Sequence, residues 1–234
     1  MKPLLLASLV SSTLALTGVA SAEKIVSGAN GVSEVGAGVK EVGIESMFVL
    51  SSKGKAETTA GAKDDTSNMR VSLLGGVFFH YFVADNLYLT GNVGALYRSD
   101  STSVGGASIG KASSVGFLGT VGAGFLARLG GGMFLVPAVG VGGYSLNTDT
   151  TSKVVVGTSS SDVTVSSGEA GLAVRLELGF VFYSSAKFNL FARPQALVLL
   201  GTSKLKNQPA GASDQSSKTT TIDGGFDVGV SLVF

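Results

Sequence analysis

Apolar and polar residues alternate along most of this chain with a period of two, the spacing of a β-strand whose two faces meet different surroundings. The pattern predicts eight such segments, at about 41–51, 68–83, 87–98, 112–128, 133–147, 166–182, 187–202 and 220–234. In the second, Met69, Val71, Leu73, Val77, Phe79 and Tyr81 share one parity, with Arg70, Ser72 and His80 opposite. In the fourth, Val115, Phe117, Val121, Ala123 and Phe125 oppose Ser114, Thr120 and Arg128. In the sixth, Leu172, Val174, Leu176, Leu178 and Phe180 oppose Glu169, Arg175 and Glu177. The connections alternate in length. Those at Ala84-Asp85-Asn86, Gly130-Gly131-Gly132 and Ser184-Ser185-Ala186 are tight, whereas those near 52–67, 99–111, 148–165 and 203–219 are long and rich in Ser, Thr, Gly and Lys.

Composition turns this pattern into an architecture. Residues 1–22 carry an early Lys, an apolar run and a small-residue end at Ala20-Ser21-Ala22, the layout of a secretory signal cut after Ala22. Beyond residue 22 no run of 18 apolar residues offers a spanning helix. Yet the mean hydropathy is +0.42. An exported, apolar chain without a membrane helix has one membrane solution, a closed barrel in which every backbone group is paired around the ring. The reading is all-β: an eight-stranded antiparallel up-and-down transmembrane β-barrel over residues 41–234, with 23–40 as a flexible periplasmic leader. An even strand count puts both termini and the short turns on the periplasmic side.

Charge placement agrees. Arg70, Arg98, Arg128, Arg175 and Arg193 all fall on the polar parity of a strand, which in a small barrel in lipid faces the lumen. Glu45, Glu169, Glu177, Asp223 and Asp227 are expected to balance them there. Strand order and depth bring Glu45, Arg175, Glu177, Arg193 and Asp227 together near mid-barrel. Two readings stay open for them: an ion-pair gate in a narrow pore, or a structural network that fills a closed interior, since buried charges need partners. Aromatic rings are expected at both interfaces: Phe79, Tyr81, Phe125, Phe134, Phe180, Phe182, Phe188 and Phe234 at the lower one, and Phe48, Tyr97 and Tyr144 at the upper. Pro137 and Pro194 lie inside predicted spans, where each removes a ladder hydrogen bond, so bulges are expected at both.

The last strand, "FDVGVSLVF", resembles the C-terminal assembly signal of bacterial outer-membrane barrels. The segment "HYFVADNLYLTGNVGALY", from His80 to Tyr97, is similar to a strand–turn–strand of the small, OmpA/OmpX-like eight-stranded barrels. The resemblance covers nearly all of the chain after residue 22. It implies residence in the bacterial outer membrane, with Phe226, Val228, Val230, Leu232 and Phe234 read by the barrel-assembly machinery.

Candidate chemistry is sparse. His80 is the lone His, and no nucleophile or orienting acid stands beside it in sequence, so a wall residue is expected and a membrane-embedded enzyme is the third reading. The pairs Gly75-Gly76, Gly105-Gly106, Gly142-Gly143 and Gly224-Gly225 lack the Lys-Ser/Thr of a phosphate loop, and instead suit a crowded lumen or sharp curvature. No cofactor, metal or nucleic-acid partner is expected. Lys53, Lys55, Lys63, Lys111, Lys153, Lys204, Lys206 and Lys218 lie in the long loops, where they are either simply solvated or touch lipopolysaccharide phosphates. Alternation continues through "TSKVVVGTSSSDVTVSS" (151–167), which predicts a two-stranded projection closing at Gly157 to Asp162. The leading functional expectation is a non-enzymatic barrel with an envelope-structural and surface-interaction role, leaving the identity of a host or surface ligand open. The alternative is a small channel for ions or narrow apolar solutes.

Overall fold

The computed structural model of the chain describes residues 25–28, 31–54, 66–104, 107–156, 159–185, 187–206 and 216–234. Residues 1–22, the expected export signal, lie outside this set. The described residues form β-strands and turns, with no helix long and apolar enough to cross a membrane.

Eight antiparallel strands close into one ring. In chain order these are β3 (Lys40–Gly54), β4 (Thr66–Ala84), β5 (Leu87–Val104), β6 (Ala107–Phe125) continued by β7 (Ala127–Gly130), β8 (Met133–Val156), β9 (Ser159–Ser185), β10 (Phe188–Leu205) and β11 (Ser216–Val233). Each pairs with its sequence neighbour, β11 returns to β3, and the β6–β8 pairing completes the circuit. Closure removes every sheet edge within the ring. The tight turns use backbone conformations suited to their residues. Gly130, Gly131 and Gly132 all have positive φ (109°, 62° and 79°), and Asn86 reaches φ 60°.

The apolar parity faces outward. Ile44, Phe48, Val77, Phe79, Val93, Phe117, Val121, Leu178, Phe180, Ile222 and Phe226 are exposed large hydrophobics, an arrangement a soluble core would invert. The last rung joins Phe234 and Lys40, which exchange both backbone bonds at 2.8 and 2.9 Å. The Phe234 ring is exposed on the outer face.

Three local expectations are corrected. The register runs through Pro137 without a shift, and likewise through Pro194 against β11. Neither makes a bulge, but the ladder opens at each: the β8 pairing with the fourth strand lapses at Pro137, and the β9–β10 pairing lapses at Arg193 and Pro194. The gap at Pro137 is also where the fourth strand is interrupted, at Leu126. That residue is buried, and its amide donates to the Asn86 carbonyl at 2.8 Å. In β8 the even positions turn inward, so Phe134 and Tyr144 are buried lumenal residues and belong to no interfacial girdle.

Part of the segment expected to be a flexible leader forms strands. β1 (Ile25–Gly28) and β2 (Gly31–Val35) pair with each other at the tight-turn end of the ring. Val32, Val35 and Val39 are buried with Phe78, Phe82, Tyr88, Leu126, Phe134, Tyr183 and Val233. The Val35 carbonyl accepts from Asn86 N at 2.8 Å, and Val35 N donates to Asn86 Oδ1 at 3.1 Å. The Gly38 amide donates to the Phe82 carbonyl at 2.8 Å. Each valine so buried contributes roughly 1.5–3 kcal/mol. Val35→Asp, which places an unpaired charge in this apolar seat, is therefore expected to free the hairpin while the ring persists. Proteinase K applied to micelle-refolded protein then trims the variant from its N-terminus and leaves the wild type whole. Equal resistance of the two would contradict the docked hairpin.

At the other end the strands outrun the bilayer. β8 and β9 have 24 and 27 residues, where a tilted strand needs about 9–11 to cross. Their ladder continues to Val156 opposite Ser159, whereas β10 leaves β9 at Ser167 and β6 leaves β8 at Ser152. The expected projection exists, with a shorter tip. Residues 159–162, assigned to the turn from sequence, pair in the ladder.

Candidate functional site

The lumen is filled in layers, and its centre holds the predicted charges. β3, β11, β10 and β9 are consecutive around the ring. Their inward parity delivers Glu45, Arg175 with Glu177, Arg193 and Asp227 to one level, and all five are buried. Arg175 binds Glu45 through both terminal nitrogens, at 2.5 and 2.8 Å. Its Nε lies 2.6 Å from Glu177. Arg193 lies 2.9 Å from both Glu177 and Asp227 and 3.1 Å from Glu45. Asp227 also lies 3.3 Å from Arg175. Every acid touches both bases. The formal balance of these groups is three carboxylates against two guanidiniums.

The surrounding packing holds the bases in place. The Arg193 guanidinium carbon stands 4.0 Å from the Phe191 ring centroid and 5.6 Å from that of Phe78, within cation–π range. Gly179 makes room for it, since a methyl group at that position would collide with the Arg193 backbone and the base of its side chain. Gly43 and Gly229 similarly seat the rings of Phe78 and Phe191. Crowding therefore explains these glycines.

Above the charged layer lies an apolar one, of Met47, Val49, Leu74, Leu96, Leu118, Leu146, Leu197 and Leu199. A second polar level follows towards the long-strand end, where Arg98 meets Asp223 at 2.5 Å and Arg70 meets Asp100 at 2.6 Å. Tyr144 donates to Glu169 there. Arg128, expected among the lumenal charges, is exposed at the tight-turn end, opposite Phe134. A surface cavity of about 250 Å³ lies at the long-strand end of the ring beside Asp100, Lys111 and Thr150.

A cluster not foreseen from the sequence lies below the charged layer. Glu41 is buried and accepts from Asn189 Nδ2 at 2.9 Å, from Tyr183 OH at 3.4 Å and from Ser231 Oγ. His80 Nδ1 lies 3.3 Å from Glu41 Oε2, the oxygen that Tyr183 also reaches. The His80 ring stacks between Phe78 and Tyr88, with centroids at 4.5 and 4.3 Å. Glu41 is thus the orienting acid that local sequence did not supply, because it arrives from β3, directly opposite His80 on β4. The Ser231 hydroxyl bonds to Glu41 and Asn189, whereas acyl transfer needs the nucleophile on the histidine. No group of three or more His, Cys, Asp or Glu able to hold a metal occurs among the described residues.

The chain matches no protein-family model and no curated protein sequence. Among solved structures it is similar to the outer-membrane protein OprG of Pseudomonas aeruginosa, at 13% identity and TM-score 0.50, over 85% of this chain and 97% of that one. A looser likeness, at 11% identity and TM-score 0.43, joins it to Ail, the attachment invasion locus protein of Yersinia pestis, over 85% of this chain and 99% of that one. The closed ring of eight strands, its apolar outer wall and the likeness to OprG agree: the chain has the fold of the small, OmpA/OmpX-like outer-membrane β-barrel proteins.

Proposed function

We propose that this chain is a non-enzymatic integral outer-membrane barrel that serves the envelope structurally and meets surface partners through its extracellular extensions. The observation that carries the reading is the filled lumen. Two apolar layers bracket the five-membered ion-pair cluster, and the hairpin of β1 and β2 occupies the periplasmic mouth. Each of these buried charges meets at least two of opposite sign, an arrangement suited to holding a wall together, since parting them costs several kcal/mol. Export by a signal cut after Ala22, insertion by the barrel-assembly machinery and contact with lipopolysaccharide belong to the same reading. The projection formed by β8 and β9 supplies the reach for a surface partner.

The competing reading, a small channel, is separated by planar-bilayer recording of refolded protein. The expected record is a quiet membrane, both for the wild type and for a variant lacking the projection. Steady single-channel openings that persist through refolding controls would overturn the structural role in favour of conduction.

A further inference from the structure

The central ion-pair layer is short of one positive charge. Glu45, Glu177 and Asp227 face Arg175 and Arg193, which leaves one negative charge in a buried layer. Among the described residues, the neighbouring levels offer no spare base. Below, His80 lies against Glu41, so even a protonated His80 is matched by an acid of its own. Above, beyond the apolar layer of Met47, Leu74, Leu96 and Leu197, Arg98 is taken by Asp223 and Arg70 by Asp100. A lone charge in such surroundings is costly, and a carboxylate there is neutralised by a proton instead.

The contacts single out the oxygen that carries it. Both oxygens of Glu45 accept from Arg175, and the two oxygens of Glu177 lie 2.6 and 2.9 Å from arginine nitrogens. Asp227 differs. Its Oδ2 takes both arginines, at 2.9 and 3.3 Å, whereas its Oδ1 is buried and meets no donor. A second orphan stands within reach. Gln195 is buried on the inward face of β10, and neither its Oε1 nor its Nε2 has a hydrogen-bond partner. Arg193 pairs with Asp227 and Gln195 with Gly225, so Gln195 and Asp227 are diagonal neighbours on one face, with no side chain at Gly225 between them. On β9, Gln195 pairs with Glu177, whose oxygens are already occupied. From this geometry we infer that the lumen of the folded barrel holds a bound proton, carried on Asp227 Oδ1 and donated in a hydrogen bond to the Gln195 amide oxygen. The proton comes from water. It neutralises the layer and satisfies two orphaned oxygens together, while both arginines keep Oδ2. A metal cation in its place would sit against two guanidiniums. The site rests on the reading of a filled lumen.

The test is infrared spectroscopy of the full mature barrel, refolded in micelles at neutral pH. A carboxylic-acid C=O band is expected. It should shift when the aspartate side-chain carboxyls carry heavy carbon and stay in place when those of glutamate do. Asp227→Asn should remove the band, and Asp100→Asn, at the partly exposed level above, should leave it unchanged. Gln195→Leu should keep the band and move it to higher frequency, because the acid loses its acceptor. Glu45→Gln should abolish it, since two acids then balance two bases. Heat-modifiable migration checks that each variant is folded. The bound proton is overturned by a folded wild type without the band, by a band that follows the glutamate label, or by its survival in Asp227→Asn. Failure of the filled lumen looks different, as pores in the bilayer recording, whereas a quiet membrane with no acid band sinks the proton alone.

Discussion

Arg175→Met is expected to destabilise the folded barrel by about 3–5 kcal/mol, the cost of stranding buried carboxylates without their base. Arg175 is the hub of the central layer, reaching Glu45, Glu177 and Asp227 at once. Its loss leaves those three acids facing Arg193 alone. Glu45→Gln in the same chain removes one stranded charge, so the double variant should recover part of the loss, with a coupling of about 0.5–3 kcal/mol. Urea midpoints of micelle-refolded protein, read by the shift between folded and unfolded gel bands, give both quantities. A single-variant cost below about 1 kcal/mol, the range of exposed ion pairs, would mean that water reaches the layer, and the filled-lumen reading would fall with it.

The second large effect belongs to the last residue. Removing Phe234 should lower the amount of barrel in the outer membrane several-fold, although its two ladder bonds to Lys40 account for only about 1–3 kcal/mol of folded stability. Phe234→Ala separates the contributions. It keeps the backbone rung and loses the ring, which is exposed on the outer wall and has little to pack against within the chain. If Phe226, Val228, Val230, Leu232 and Phe234 are read as an assembly signal, the Ala variant should accumulate as poorly in cells as the deletion, yet refold normally in detergent. Wild-type accumulation of Phe234→Ala would remove the signal from the account and leave only a terminal rung.

Much of this structure was legible because lipid and lumen impose opposite demands on alternate residues. Within the spans of β4 and β9 the charged residues, Arg70 and His80 and then Glu169, Arg175 and Glu177, share one parity against Leu73, Val77, Leu172 and Leu176, so their facing followed directly, and strand order then gathered Glu45, Arg175, Glu177, Arg193 and Asp227. Strand β8 offered no such contrast. Its inward Phe134, Val136, Tyr144 and Leu146 are as apolar as its outward Met133, Val139 and Val141, because two levels of the lumen are themselves apolar. Polarity cannot set the phase of a strand that is greasy on both faces. Glu41 was missed for another reason. It stands alone at a strand end, and Asn189, Tyr183 and Ser231 reach it only once β9, β10 and β11 are in register. The clue was cross-strand, in the Glu41–His80 pair of β3 and β4. The hairpin of β1 and β2 is too short and Gly-rich to declare itself, because its stability comes from the seat beneath Phe82 and Phe134.

That seat also constrains the order of assembly. Its lining comes from nearly the whole chain, from Phe82 and Tyr88 near the first turn to Val233 beside the last rung. Until β11 closes onto β3, the floor that receives Val32 and Val35 is incomplete. The segment synthesised early is therefore among the last to dock, and it does so from the periplasmic side, as a latch thrown after the ring has shut. A kinetic experiment would see two events: a slow gain of protected barrel amides, then protection at Val35 and Asn86 that never precedes it.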